Sequence, residues 1–340
     1  PTPAHKALFS WIAHDGSLDA RKIVRKEKVQ GKVVEASFDY AAESREALPR
    51  IVEGFEKAKA VTSAKDVVNL ITEYNLPREC IPTQHLNSVE VWDALLHAGK
   101  FGMPLTALVR NLGKMSSIGL VAPGSEAAKY VVKRLSDGEG IRHARVHPMS
   151  ILIAQRVYMQ GRGVKGDLSW TTVKPIVDAL DGAFYLGFKA VESTGLRYLL
   201  ALDVSGSMSS GSVAGSPLTP RDASAAMALV TENTEPDYHV IGFTGGNGHV
   251  YAGTKRAKAS DVPGVSELDL SARMRLPDAI EKISGLPFGS TDCALPMIYA
   301  QKKKLPVDVF VGYTDSETWA GSIQPVQALR EVPAQPGAQG

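Results

Sequence analysis

Up to about residue 190, apolar side chains recur at three- and four-residue spacing, the pattern of helices with one buried face. It predicts helices over residues 63–74 (Val67, Val68, Leu70, Ile71), 88–97 (Val91, Trp92, Leu95, Leu96), 104–112 (Leu105, Leu108, Leu112) and 125–135, then over 148–159 and 173–190. Ser63, Ser88 and Ser125 stand where helix caps are expected, and Gly113 and Gly138 where helices stop. Short helices in pairs suggest a HEAT-like α-solenoid, with a non-repetitive helical bundle as the alternative because no strict period is visible.

From Leu196 the period changes. Short apolar runs at 197–202, 238–243 and 307–311 alternate with helical patterns at 221–232, 276–284 and 294–302. That alternation predicts a doubly wound α/β domain, and a further run at 248–251, after a glycine-rich turn, predicts an edge strand. The organisation expected is a helical module over 1–190, an α/β domain over 191–332 and a low-complexity tail over 333–340.

The run Tyr198-Leu-Leu-Ala-Leu202 ends in Asp203, with Ser205 and Ser207 at alternate positions after it. A strand covered on both faces would deliver these oxygens to the carboxyl edge of a parallel sheet, where open α/β folds bind ligands. One carboxylate with hydroxyls and water suits a small hard ion such as Mg²⁺; alone, the same residues would equally suit a helix cap. Two later segments bear on this choice: Ser290-Thr291-Asp292 after a Gly/Pro break, and Thr314-Asp315-Ser316-Glu317 after the run at 307–311. A hydroxyl from one and a carboxylate from the other would complete one ion site.

The net charge of +2 conceals an asymmetry: residues 1–190 carry 26 Lys plus Arg against 20 Asp plus Glu (+6), leaving 12 against 16 (−4) in 191–340. The helical half is therefore the candidate for phosphate contacts. Basic residues recur along it (Lys22, Arg25, Lys26, Lys28; Arg110, Lys114; Lys129, Lys133, Arg134; Arg142, Arg145; Arg156, Arg162, Lys165), and Arg110 and Lys114 fall on the face opposite Leu105, Leu108 and Leu112. Only two cysteines occur, Cys80 and Cys293, which argues for a reducing, cytoplasmic setting (nuclear also, in a eukaryote) without disulfides. No run of about 18 apolar residues would span a membrane. His143 and His147 have metal-ligand spacing but precede Pro148 and lack a third ligand, so they are expected to flank a turn. No phosphate loop, dinucleotide fingerprint or nucleophile elbow is present, and no catalytic pair is visible.

The three segments around Asp203, Thr291 and Asp315 resemble the metal-ion-dependent adhesion site of von Willebrand factor A domains, whose cation would fall to Asp203, Ser205, Ser207, Thr291 and Asp315. With Pro104-Leu-Thr-Ala-Leu-Val-Arg110-Asn111-Leu-Gly-Lys114-Met115, Ala144-Arg-Val-His147-Pro148, Leu180-Asp-Gly-Ala-Phe184-Tyr185, Ser290-Thr-Asp-Cys293 and Tyr313-Thr-Asp-Ser-Glu-Thr-Trp319, the chain resembles the Ro (SS-A) ribonucleoprotein autoantigen family, a TROVE module followed by a von Willebrand A domain. The resemblance implies part of a ring of HEAT-like helices that binds small noncoding Y RNA and the single-stranded ends of misfolded RNAs, without catalysis, as a monomer, with RNA contacts centred on Arg110, Asn111 and Lys114. It also implies a divalent cation, Mg²⁺, open to an acidic group of a protein ligand. The alternative is a cation-dependent protein-interaction module without RNA affinity. The start without Met and the lack of a last helix and strand lead to the expectation of a fragment.

Overall fold

The computed structural model describes residues 2–29, 32–213, 215–245, 257–284, 286, 289–315, 318 and 320–332. The chain divides into two compact units, Pro1–Pro104 and Leu105–Gly340.

In the first unit, α1 (Pro3–Ala13) is followed by an antiparallel hairpin, β1 (Arg21–Val29) and β2 (Lys32–Tyr40), with Arg21 opposite Tyr40 and Val29 opposite Lys32. The expected uninterrupted helices are corrected here. Ile23, Val24, Val29, Val33 and Val34 are β-branched and favour the pleated backbone, a preference masked in the sequence by the interspersed Lys and Arg. Lys22, Arg25 and Lys26 therefore sit on a strand, not on a helix face. Then come α2 (Arg50–Ala60), α3 (Ala64–Tyr74) and α4 (Val89–Leu96), packed in sequence. The serine caps are as expected: Ser63 Oγ accepts from Asp66 N at 3.1 Å and Ser88 Oγ from Val91 N at 3.4 Å. Val67, Ile71, Val91, Trp92, Leu95 and Leu96 form the core of these helices, and the buried Trp92 indole donates to Leu86 O at 2.9 Å.

The second unit opens with α5 (Leu105–Ser117), α6 (Glu126–Leu135), α7 (Gly138–His143), α8 (Pro148–Met159) and α9 (Lys174–Leu186), the last continuing as a 3₁₀ turn to Ala190. Ser125 Oγ caps α6 through Ala128 N at 3.1 Å. Gly113 does not end α5 but lies within it, because a Cβ there would meet the Trp170 ring at 2.7 Å and close approach to that ring requires glycine. His143 ends α7 and His147 caps α8 by accepting from Met149 N, with Arg145 in the left-handed region between them (φ 49°), so the two histidines flank a turn.

The α/β portion runs β3 (Arg197–Asp203), α10 (Pro220–Thr234), β4 (Asp237–Phe243), β5 (Ala257–Ala259), β6 (Val265–Leu268), α11 (Leu276–Ser284), α12 (Leu295–Lys303), β7 (Val309–Tyr313) and α13 (Pro325–Glu331). The sheet order is β5-β6-β4-β3-β7, with β7, β3 and β4 parallel and β6 and β5 antiparallel. The sheet is thus mixed, with a parallel centre and a short antiparallel edge that the sequence pattern did not signal. The run expected as an edge strand at 248–251 and the tail at 333–340 lie outside the described residues. Leu199, Ala201, Ile241 and Phe243 pack against Leu295, Tyr299 and Ala300 of α12 on one face, while α10, opened by a Thr219–Asp222 capping box, also meets β3. Two strand starts are tied by charge: Arg197 donates to Asp308 from Nε (2.8 Å), Nη2 (2.6 Å) and its backbone N (3.0 Å), which holds the Asp308 carboxyl down at about 2.

Candidate cation site and basic helical surface

Because β3 is buried on both faces and pairs in parallel with β4 and β7, its last residue, Asp203, emerges at the carboxyl edge of the sheet. The register places Leu202 beside Tyr313, so the residues that follow each strand come level with one another. Asp203 is 1% exposed. Its Oδ1 accepts from Ser205 N at 2.7 Å, and its Oδ2 from Thr314 Oγ1 at 2.7 Å and Thr291 Oγ1 at 3.4 Å. Ser205 Oγ and Ser207 Oγ lie 3.1 Å apart, and Ser207 Oγ donates to Asp315 Oδ1 at 3.0 Å.

All five residues expected to hold a cation therefore fall in one connected set, on a buried floor (Asp203, Ser205, Thr291) with an exposed rim (Ser207, Asp315). The helix-cap alternative for Asp203 does not describe this arrangement. The 3₁₀ turn Gly206–Ser209 has no side-chain cap, and α10 is capped by Thr219.

Thr314 is the contributor that motif reading missed. Its position level with Asp203 depends on the β3–β7 register, which spacing along the chain does not disclose.

Two supports hold the loops. Arg221 of α10 donates from Nη2 to Ser205 O at 3.3 Å. Ala320 N donates to Thr291 O at 3.0 Å, and Gly321, at φ +91°, leaves room for Asp292, whose Oδ2 would sit 2.4 Å from a Cβ. Burial pushes the Asp292 carboxyl up against the opposing effect of its bond from Ala294 N. Burial, together with Asp203 and Asp292, also pushes the Cys293 thiol up.

The donor set fits a hard cation. Hydroxyls and one amide N–H approach the Asp203 carboxylate, and no Lys or Arg pairs with it among the described residues. A buried carboxylate without a counter-charge is costly, and a divalent ion is the group these oxygens suit.

On the helical surface, α5 places Arg110 exposed and Lys114 half-buried. Asn111 donates one Nδ2 N–H to Ala107 O of its own helix at 2.8 Å, which leaves its second N–H and its carbonyl oxygen to meet a ligand. Lys129 and Arg142 are engaged by Glu126 and Glu139 one turn away, whereas Arg110, Lys133, Arg145, Arg162 and Lys165 have no acidic partner among the described residues.

Two family models match the chain: the TROVE domain over residues 21–157 and the Ro60 vWA domain over residues 197–338. The chain is 40% identical over 282 residues to RNA-binding protein RO60 of Deinococcus radiodurans (82% of this chain, 49% of that protein). It is 38% identical over 281 residues to RNA-binding protein RO60 of Caenorhabditis elegans (83% and 40%). The crystal structure of Deinococcus radiodurans RO (RSR) protein superposes with a TM-score of 0.72 at 39% identity, covering 85% of this chain and 54% of that one. The chain thus spans about half or less of the length of the curated relatives it matches. With both of its halves matched in the same order, the chain belongs to the Ro family, carrying a TROVE domain and a vWA domain of the Ro60 type.

Proposed function

We propose that this protein binds RNA through its helical portion, as a non-catalytic ribonucleoprotein component. The observation that carries the reading is the 38–40% identity, over more than four-fifths of this chain, to two proteins named for RNA binding. The excess of basic residues in 1–190 supports it, and so does the set of cations there without an acidic partner among the described residues. Backbone phosphates would dominate the affinity, and unpaired ends would be favoured because their bases are open to stacking. Small noncoding RNAs such as Y RNA and the single-stranded ends of misfolded RNAs are the substrate classes. Arg110, Asn111 and Lys114 are the contacts.

The test is fluorescence anisotropy of the 340-residue chain with a hairpin RNA bearing a single-stranded 3′ tail, across a salt series. Affinity falls steeply with salt, and Arg110→Ala with Lys114→Ala weakens binding and reduces the log–log salt slope by roughly 1 to 2. An unchanged slope removes these residues from the interface.

The connected oxygens support a second role. A divalent cation, Mg²⁺ first, would be held by Asp203, Ser205, Ser207, Thr291 and Asp315, and when bound would present positive charge to an acidic group of a protein partner. RNA binding that persists in chelator would separate this role from the helical surface.

A further inference from the structure

Within the second unit, a half-open recess of about 510 Å³ lies between the end of α9, the end of α10 and the turn leading into α11. Its volume falls in the range of ligand sites, about 300–1,000 Å³. Its wall is an ordered stack: the Arg275 guanidinium lies over the Tyr185 ring at 4.0 Å, and Tyr185 meets Phe188 edge-on at 5.5 Å. Arg275 is held from one side by its ion pair with Asp181 of α9, and Tyr185 Oη accepts from Leu276 N at 2.8 Å. Despite these restraints the Arg275 side chain is 56% exposed, so one face of a fixed guanidinium plane is turned to solvent.

An ion pair that merely fastened α9 to the turn would not need that open plane. Two further cations of the lining, Lys189 and Arg273, are exposed and have no acidic partner among the described residues. The carboxylates nearby are Asp181, taken up by Arg275, Glu235, taken up by Ser193, Thr194 and Gly195, Asp278 in the first turn of α11, and exposed Glu192 between the lining residues Val191 and Ser193. Lys189 and Arg273 would therefore meet a phosphate by their placement rather than through a net positive charge. Asn233 also lines the recess; its Nδ2 is used on Leu229 O, so its Oδ1 remains as an acceptor.

A planar cation backed by an aromatic ring, two unpaired cations and one amide acceptor match the parts of a nucleotide. We propose that the recess receives one nucleotide of a single-stranded RNA, its base stacked on the Arg275–Tyr185 pair, its phosphate on Lys189 and Arg273, and a base N–H on Asn233. This site is separate from Arg110, Asn111 and Lys114, and it rests on the RNA-binding reading. A base stacked on a prefixed plane gains affinity without the ordering cost of a mobile side chain.

The experiment compares the full chain with Arg275→Lys, which keeps charge for Asp181 but removes the plane, and with Lys189→Ala/Arg273→Ala at exposed positions. The probe is a fluorescent single-stranded oligouridine carrying 4-thiouridine, used for anisotropy and for photo-crosslinking mapped by mass spectrometry. Arg275→Lys weakens binding about tenfold. The double variant lowers the salt slope by roughly 1 to 2. Crosslinks fall on 185–188 or 273–275 in the parent chain and disappear in Arg275→Lys.

RNA binding that responds to Arg110→Ala/Lys114→Ala but not to Arg275→Lys, with no crosslink in these segments, overturns this site and leaves the RNA reading standing. No RNA binding by the parent chain at low salt overturns both. Competition by inorganic polyphosphate equal to that by oligouridine at the same phosphate concentration shows an anion site without base recognition and overturns the nucleotide assignment.

Discussion

Mg²⁺ raises the thermal unfolding midpoint of this protein, and Asp203→Asn abolishes the response. The carboxylate is buried at the end of β3 and, among the described residues, meets hydroxyls and one amide N–H, so a cation binding there acts on the folded state alone. At a hundredfold excess over Kd such binding is worth about 2.7 kcal/mol. For a unit of this size that is about 5–10 °C. Differential scanning fluorimetry in Mg²⁺ and in chelator reads it directly. The variant carries a second, opposite expectation. Without cation, Asp203→Asn removes an uncompensated buried charge while keeping the shape, so in chelator it melts no lower than the parent chain. An equal Mg²⁺ shift in both proteins places the ion elsewhere.

What the sequence disclosed and what it concealed divide along one physical line. Elements set by local chemistry were legible: the serine caps at 63, 88 and 125, the helix Pro148–Met159 and the three parallel strands all follow from short-range pattern. The hairpin Arg21–Tyr40 was not, because alternating Lys and Arg obscured its β-branched residues and a strand pair is defined by its partner rather than by its own period. The antiparallel edge Ala257–Ala259 and Val265–Leu268 was missed for the same reason, being too short to carry a period. At the cation site the residues at fixed spacing, Asp203, Ser205 and Ser207, were readable, Asp315 followed from the end of an apolar run and Thr291 from a segment after a Gly/Pro break, and the resemblance to the von Willebrand A pattern joined them into one set. Thr314 and the Arg221 support become visible only through register and packing across the sheet. The recess at Tyr185 and Arg275 joins residues ninety positions apart, and no spacing along the chain points to it.

Glu232 sets the strongest pH dependence expected of the fold. It lies on α10, 3% exposed, and neither carboxyl oxygen has a hydrogen-bond partner among the described residues. Burial pushes its carboxyl up to about 7 from an ordinary 4.5, against an attraction to Lys282 of α11 and with a repulsion from Asp269; Tyr238 of β4 and Tyr313 of β7 face the same charge. The folded protein therefore holds a proton that the unfolded chain releases between about 4.5 and 7. Stability falls as pH rises through that window and levels off above it. The ionised group costs about 3 kcal/mol above pH 7. Glu232→Gln, which resembles the protonated acid in size and hydrogen bonding, melts with the parent chain near pH 4.5 and roughly 6–12 °C above it at pH 8. Melting curves at the two pH values check this, and a difference that is the same at both means that Glu232 is already ionised, or already paired, throughout. Because α10 runs from the Thr219 cap past Arg221, which holds the Ser205 loop, to Glu232 at its far end, the same variant also reports whether charge at one end of the helix is felt at the other. If it is, the Mg²⁺ response of the parent chain changes between pH 6 and 8 and that of Glu232→Gln does not.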